Sequence, residues 1–197
     1  MKEMRALVGL FTALAAGLAS CSDPPPEPAS RESIVAELPE EPLRWDAPAG
    51  WTTTESSTTG PRRAGYAVPK VGDDKEDAEL LVLYFGKGKN SERDAQWDSW
   101  FEQFDGDAKR DAARETFAVG DKTVETFEFT GNYKLNMGPQ RPGMKRSPVQ
   151  MVKKDFRMIG AVVSAPGRGN WFFRLVGPDE TVRASRASFV EMLKSVR

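Results

Sequence analysis

The stretch at residues 78–85, AELLVLYF, constrains the fold more than any other part of the chain. It is apolar apart from Glu79, rich in aliphatic and aromatic side chains, and long enough for a strand. A strand that is apolar at consecutive positions has no solvent face, so it belongs inside a sheet covered on both sides. The residues that follow predict one cover. From Ser91 to Phe104 the period changes, and Trp97, Trp100, Phe101 and Phe104 fall at i, i+3, i+4 and i+7, one face of a helix. Ser91 is the candidate N-cap, ahead of Glu92. The aromatic stripe reads as core laid against a sheet; an aromatic ligand cage is the functional alternative.

Other strands are legible on either side. Leu43-Arg44-Trp45 reads as a first strand, followed by a turn at Pro48-Ala49-Gly50-Trp51, and residues 63–69 alternate as a second. Residues 115–119 and 123–133 alternate around Val119-Gly120-Asp121-Lys122, where Gly-Asp suits a two-residue hairpin with a type II′ turn. On the second arm Val124 competes with Phe127 and Phe129 for the inner face, which calls for a bulge or for burial on both faces. A further hairpin runs through 156–164, a turn at 165–170, and 171–176. Gly177-Pro178-Asp179 introduces a terminal helix with Asp179 as candidate N-cap and Val182, Phe189, Val190, Leu193 and Val196 as its apolar stripe.

This order predicts a single α+β domain over residues 43–197: an antiparallel β-sheet flanked by two main helices, an α/β/α sandwich. Three features carry a likeness to a known family: Pro48-Ala49-Gly50-Trp51 after the first strand, the long apolar strand, and Trp171-Phe172-Phe173-Arg174-Leu175 leading through Gly177-Pro178 into the last helix. On these the domain resembles the PsbP-like family. The resemblance implies a non-catalytic binding or assembly role more often than an enzyme, although a fold alone does not fix function.

The first 42 residues read as an address and a spacer. Residues 1–5, MKEMR, carry Lys2 and Arg5, and residues 6–20 are uncharged, the pattern of a secretory signal. That run is short for a membrane-spanning helix, which needs about 20 apolar residues. It ends in Leu18-Ala19-Ser20-Cys21, which resembles the lipobox of bacterial lipoprotein precursors. The resemblance implies transfer of diacylglycerol to the Cys21 thiol, cleavage before Cys21, and acylation of the new amino group. Two or three acyl chains anchor a protein stably where one holds it only marginally. By the same analogy, Ser22 rather than Asp after the cysteine implies the outer membrane in a Gram-negative cell. Prolines at 24, 25, 26, 28, 39 and 42 make residues 22–42 a semi-rigid, acidic tether; a proline-rich docking ligand is the alternative. The expected location is the cell envelope, facing the periplasm or the exterior.

Composition removes several chemistries. The chain has no histidine, so it lacks the imidazole base of Ser-His-Asp and Cys-His catalysis and the commonest ligand of catalytic zinc. Its one cysteine is Cys21, which rules out an intramolecular disulfide or a CxxC redox pair. Lys and Arg number 28 against 29 Asp and Glu, so no basic footprint for nucleic acid is present. No catalytic residue, metal site or cofactor is assigned.

The most unusual segment is residues 136–154, NMGPQRPGMKRSPVQMVKK. No acid occurs between Glu128 and Asp155, while Lys134, Arg141, Lys145, Arg146, Lys153 and Lys154 are all basic. Met137, Met144 and Met151 recur through it, and methionine is an adaptable contact residue. A connection this long is a candidate functional loop, here a basic lip for an envelope protein or an anionic ligand; a solvated insertion is the bland reading. Two weaker features are Phe85-Gly86-Lys87-Gly88-Lys89-Asn90, loosely a phosphate-binding turn without the P-loop spacing, and the acidic loop at residues 73–77. The function expected is that of a membrane-anchored binding or assembly module. The alternative is a carboxylate-based envelope hydrolase, which needs two acids in one cleft and no histidine.

Overall fold

The computed structural model describes residues 42–54, 60–87, 92–137 and 149–197. The signal segment, Cys21 and the tether up to residue 41 lie outside the described residues, as do residues 88–91 with the expected cap Ser91, and Arg141, Lys145 and Arg146.

The described chain is built around one seven-stranded sheet in which every neighbouring pair is antiparallel. Its strands are β1 (Thr52–Thr53), β2 (Arg62–Val68), β3 (Ala78–Tyr84), β4 (Ala113–Val119), β5 (Lys122–Met137), β6 (Val149–Ala165) and β7 (Gly169–Pro178). They lie in the order β1-β2-β3-β7-β6-β5-β4. Three helices complete it: α1 (Arg93–Phe101), α2 (Ala108–Asp111) and α3 (Asp179–Lys194).

The expected sheet flanked by two main helices, the α/β/α sandwich, is overturned by these lengths. α1 has nine residues and α2 four, whereas β5 and β6 have 16 and 17. Nine helical residues span about 14 Å, while 16 strand residues reach about 50 Å. A helix of that size covers a patch of the sheet and forms no layer. The fold is sheet-rich, with one helix of four turns and two short ones.

Alternation along the strands divides the core in two. Leu80, Val82, Val124, Ile159, Ala161, Val163, Phe173 and Leu175 point to the face carrying α3, where Val182, Phe189, Met192 and Leu193 close over them. Phe127, Phe129, Met158, Val162, Phe172 and Val176 point to the other face, under Trp97, Trp100, Phe101 and Phe104. The aromatic stripe is therefore core: Trp97 and Phe101 approach the Phe127 ring at 5.0 and 4.7 Å. The competition on β5 is resolved by burial on both faces, Val124 on one and Phe127 with Phe129 on the other. Glu125 shares the α1 face and is bound by Arg93 at 2.5 Å. The strands buried on both sides are β7 and β6, which lie at the centre. On β3, Leu81 and Leu83 are only half-buried.

Both hairpins form where the sequence places them. Val119 pairs with Lys122 across Gly120-Asp121. Gly120 has φ +60° and Asp121 keeps a negative φ, as a type II′ turn requires. Leu43-Arg44-Trp45, expected as a strand, joins no sheet. It runs beside the chain end instead, with backbone bonds between Arg44 and Arg197 in both directions at 3.0 Å.

The expected cap of α3, Asp179, makes no capping bond. Pro178 is at the N-cap position, and the acceptor comes from the β2–β3 connection. Asp74 Oδ2 accepts from the Thr181 amide at 2.8 Å and from its hydroxyl at 2.6 Å, and that hydroxyl accepts from the Val71 amide at 3.1 Å. Thr181 is fully buried, so an unmatched donor there would carry a desolvation cost. We predict that Asp74→Ala lowers stability by about 1–2 kcal/mol in urea unfolding, the usual cost of a lost cap. Asp74→Asn, which keeps one acceptor oxygen, should lose less; equal losses would contradict the assignment.

Candidate functional site

β5 and β6 outrun their neighbours. β4 follows β5 no further than Glu128, and β7 follows β6 no further than Phe156, where it ends at Pro178. Proline has no amide hydrogen to donate, so it suits the end of a ladder. Beyond these points β5 and β6 go on pairing with each other, from Tyr133↔Lys153 to Met137↔Val149. The outcome is a two-stranded ribbon that projects past the sheet. Residues 136–154 read in sequence as one long loop; in the structure the two ends of that segment belong to strands β5 and β6.

The ribbon leaves the sheet at a bulge. Between the pairs Gly131↔Phe156 and Tyr133↔Lys153 the chain takes two steps along β5 and three along β6. Asp155 lies in that interval with φ +55°, the one described non-glycine residue in the left-handed region. A bulge of this kind re-aims a strand. On the inner side Tyr133 stacks on Phe156 with ring centres 5.8 Å apart and lies 5.1 Å from Phe104. The segment after α1 braces the base: the Asp105 amide donates to Asn132 O at 3.1 Å, and the Lys134 amide donates to Gln103 O at 2.7 Å.

Past the brace the apolar cover runs out. Tyr133 is buried and Leu135 packs partly against the aromatic cluster. Met137, Met151 and Val152 are 44%, 46% and 51% exposed, the most exposed large apolar side chains among the described residues. Met151 lies opposite Leu135, and Val152 lies opposite Lys134 on the other face. A single exposed apolar residue is ordinary, but this short projecting element exposes three, Met137 and Met151 on one face and Val152 on the other.

The basic residues of the segment behave differently from one another. Lys153 pairs with Glu76 of the β2–β3 connection, and its ammonium lies 5.4 Å from the centre of the Phe156 ring. Lys134 pairs with Asp105 at 2.8 Å. Both help to fasten the ribbon base. Lys154 is exposed and forms no ion pair with another described residue. Sequence reasoning noticed Met137 and Met151 but missed Val152 and the strand character of the arms. The signal was present in the alternation of Tyr133-Lys134-Leu135-Asn136-Met137.

An open groove of about 780 Å³ lies against the ribbon base, lined by Asp105, Thr130, Asn132, Asp155, Arg157 and Asp179 among others. It gathers three carboxylates, where a hydrolase would need two facing each other across one cleft. Two of them are matched by cations: Asp105 by Lys134 at 2.8 Å and Asp179 by Arg157 at 2.9 Å. A general acid requires a carboxyl held protonated at neutral pH, and the Lys134 ammonium pulls Asp105 the opposite way, below the usual carboxylate range. The acidic loop at residues 73–77 is likewise committed within the fold, with Asp74 on α3, Glu76 on Lys153, and Asp77 accepting from the Lys70 amide at 3.0 Å.

No protein-family model matches the chain, and no curated protein matches it in sequence. Among the described residues no helix is long and apolar enough to cross a membrane.

The Asp105–Lys134 pair gives the ribbon base an acid-sensitive contact. The lysine hydrogen bond depresses the folded carboxyl below its unfolded value of about 4. Its contribution is therefore complete above about pH 4 and is lost as pH falls through the folded value. In an NMR titration the Lys134 side chain should shift with a midpoint below that of an ordinary aspartate. Asp105→Asn should remove that transition, and a midpoint at or above the ordinary value would contradict the pairing.

Proposed function

We propose that the chain is the precursor of a lipid-anchored protein of the bacterial cell envelope, and that its domain is a non-catalytic binding or assembly module that makes contact through the β5–β6 ribbon. One observation carries the reading: the most exposed large apolar residues of the described domain, Met137, Met151 and Val152, all lie on the one element that leaves the sheet. Apolar side chains held away from their own core on a braced arm suit contact with another molecule. The basic sequence between the arms favours an anionic one, such as an acidic envelope protein. The Leu18-Ala19-Ser20-Cys21 motif and the proline-rich tether support anchorage to a membrane through Cys21. The hydrolase reading would use the groove at Asp105, Asp155 and Asp179, where two of the three carboxylates are already matched by cations.

Two experiments test this. Growth with labelled palmitate should label the wild type and leave Cys21→Ser unlabelled; equal labelling would refute the anchor. The double variant Met151→Ser, Val152→Ser should unfold at nearly the wild-type temperature, because both side chains are exposed. It should bind the partner captured from the native envelope about tenfold or more weakly, the effect of losing roughly 1.4 kcal/mol of contact energy. Unchanged capture would remove the ribbon from the account.

A further inference from the structure

The two edges of the sheet end differently. At one edge β1 adds only two residues to β2. The other edge is β4, seven residues long and paired with β5 along its whole length. It holds no proline, lysine or bulge, the devices that commonly keep an edge from pairing. Ala113, Arg114, Glu115, Thr116 and Ala118 are exposed along it. Among the described residues no further strand lies beyond it. This edge is separate from the ribbon, because β4 stops opposite Glu128 and the ribbon begins past Gly131. The hairpin fixes which backbone groups point outward. Val119 and Lys122 close it as a bonded pair, and bonded residues alternate along an antiparallel ladder. Ala113, Glu115, Phe117 and Val119 therefore turn their amides and carbonyls to β5, while Arg114, Thr116 and Ala118 turn theirs to the open edge.

We infer that β4 pairs antiparallel with β4 of a second copy of this chain, about a two-fold axis at Thr116. A bare edge can take many extended chains, and the side chains of β4 select its own copy. In this register every outward backbone group finds a partner: Thr116 meets Thr116, and Arg114 meets Ala118 of the second copy. On the α1 face the two threonines form a favourable cross-strand pair. On the α3 face Phe117 and Val119 are only half-buried against the core. The register sets Phe117 diagonal to the second Phe117, within reach of a ring contact. The two charges of the strand are already held within their own copy. Arg114 lies over the Trp97 and Phe101 rings at 5.3 and 5.5 Å, and Glu115 pairs with Arg186 at 2.6 Å. Across the axis they face Ala118 and Phe117, so no like charges meet. A contact of this symmetry closes on itself and stops at a dimer. The joined sheet keeps α3 of both copies on one face and sends the two ribbons out at opposite ends.

The test uses the full chain in its native host. Thr116→Cys places two thiols opposite each other across the axis, with Cα atoms about 5.5 Å apart, inside the disulfide range of roughly 4.4–6.8 Å. Ala118→Cys is the register control, because its two copies lie about 13 Å apart along the strands. After mild oxidation of cells, a non-reducing gel should show a disulfide-linked dimer for Thr116→Cys. Ala118→Cys and the wild type, whose one cysteine is Cys21, should give severalfold less or none. Thr116→Lys sets two ammoniums against each other at the axis. The position is exposed, so this variant should unfold at the wild-type temperature. Two differently tagged wild-type copies made in one host should copurify, and Thr116→Lys in both should lower the yield severalfold. No dimer from Thr116→Cys, equal linkage at positions 116 and 118, linkage of Thr116→Cys only to a different protein, or undiminished copurification of Thr116→Lys would each overturn the inference.

Discussion

The pairing of β5 with β6 is the interaction on which the rest of the structure depends. It runs unbroken from Thr123↔Ser164 to Gly131↔Phe156, shifts register once, and continues to Met137↔Val149. Within the sheet it aligns Val124 with Val163 on one face and Phe127 with Gly160 on the other. Gly160 is the counterpart the Phe127 ring needs, because a Cβ there would lie 2.2 Å from the ring. Trp97, Trp100 and Phe101 can then settle on Phe127, which fixes where α1 docks. Outside the sheet the same pairing holds the ribbon out, so one ladder builds both the core and the proposed contact surface.

Charge pairing fastens this ladder to its surroundings. On the α3 face Glu128 of β5 is bound by Arg157 of β6 and by Arg186 of α3, Arg186 reaches Glu115 of β4 at 2.6 Å, and Arg157 reaches Asp179 at 2.9 Å. Glu128 and Arg157 are largely buried, so each requires the other; such a network specifies geometry more than it adds stability. The bulge at Asp155 comes two residues before Arg157. The ribbon therefore departs from the sheet at a point locked by ion pairs on one side and by the Tyr133–Phe156 stack on the other.

Much of the domain was legible because period and turn chemistry are local signals. The Gly120-Asp121 hairpin, the stripe from Trp97 to Phe104 and the terminal helix are all written within a few residues of themselves. What was not legible depends on distant partners. Leu43-Arg44-Trp45 has strand-like composition, but its neighbour is Arg197, and no local rule reports that. The cap of α3 comes from Asp74, about a hundred residues away in sequence, whereas local spacing points only to the nearer Asp179. The stripe at 91–104 has the period of a full helix and so points to a second helical layer, but α1 ends at Phe101 and Phe104 bridges to Tyr133. Of the site, the methionines and lysines of 136–154 were visible as a composition. Their arrangement on two paired arms was not, since prolines and glycines between the arms mask the alternation.

The account's central claim is that the ribbon is covered by a partner in the cell, and its methionines report on this directly. Met137 and Met151 are exposed, whereas Met158 is fully buried and serves as an internal reference. Oxidative footprinting of the isolated domain should convert Met137 and Met151 to sulfoxide readily and leave Met158 intact. In the native envelope the account predicts that Met137 and Met151 are protected severalfold while Met158 is unchanged. Equal oxidation of Met137 and Met151 in both settings would contradict it.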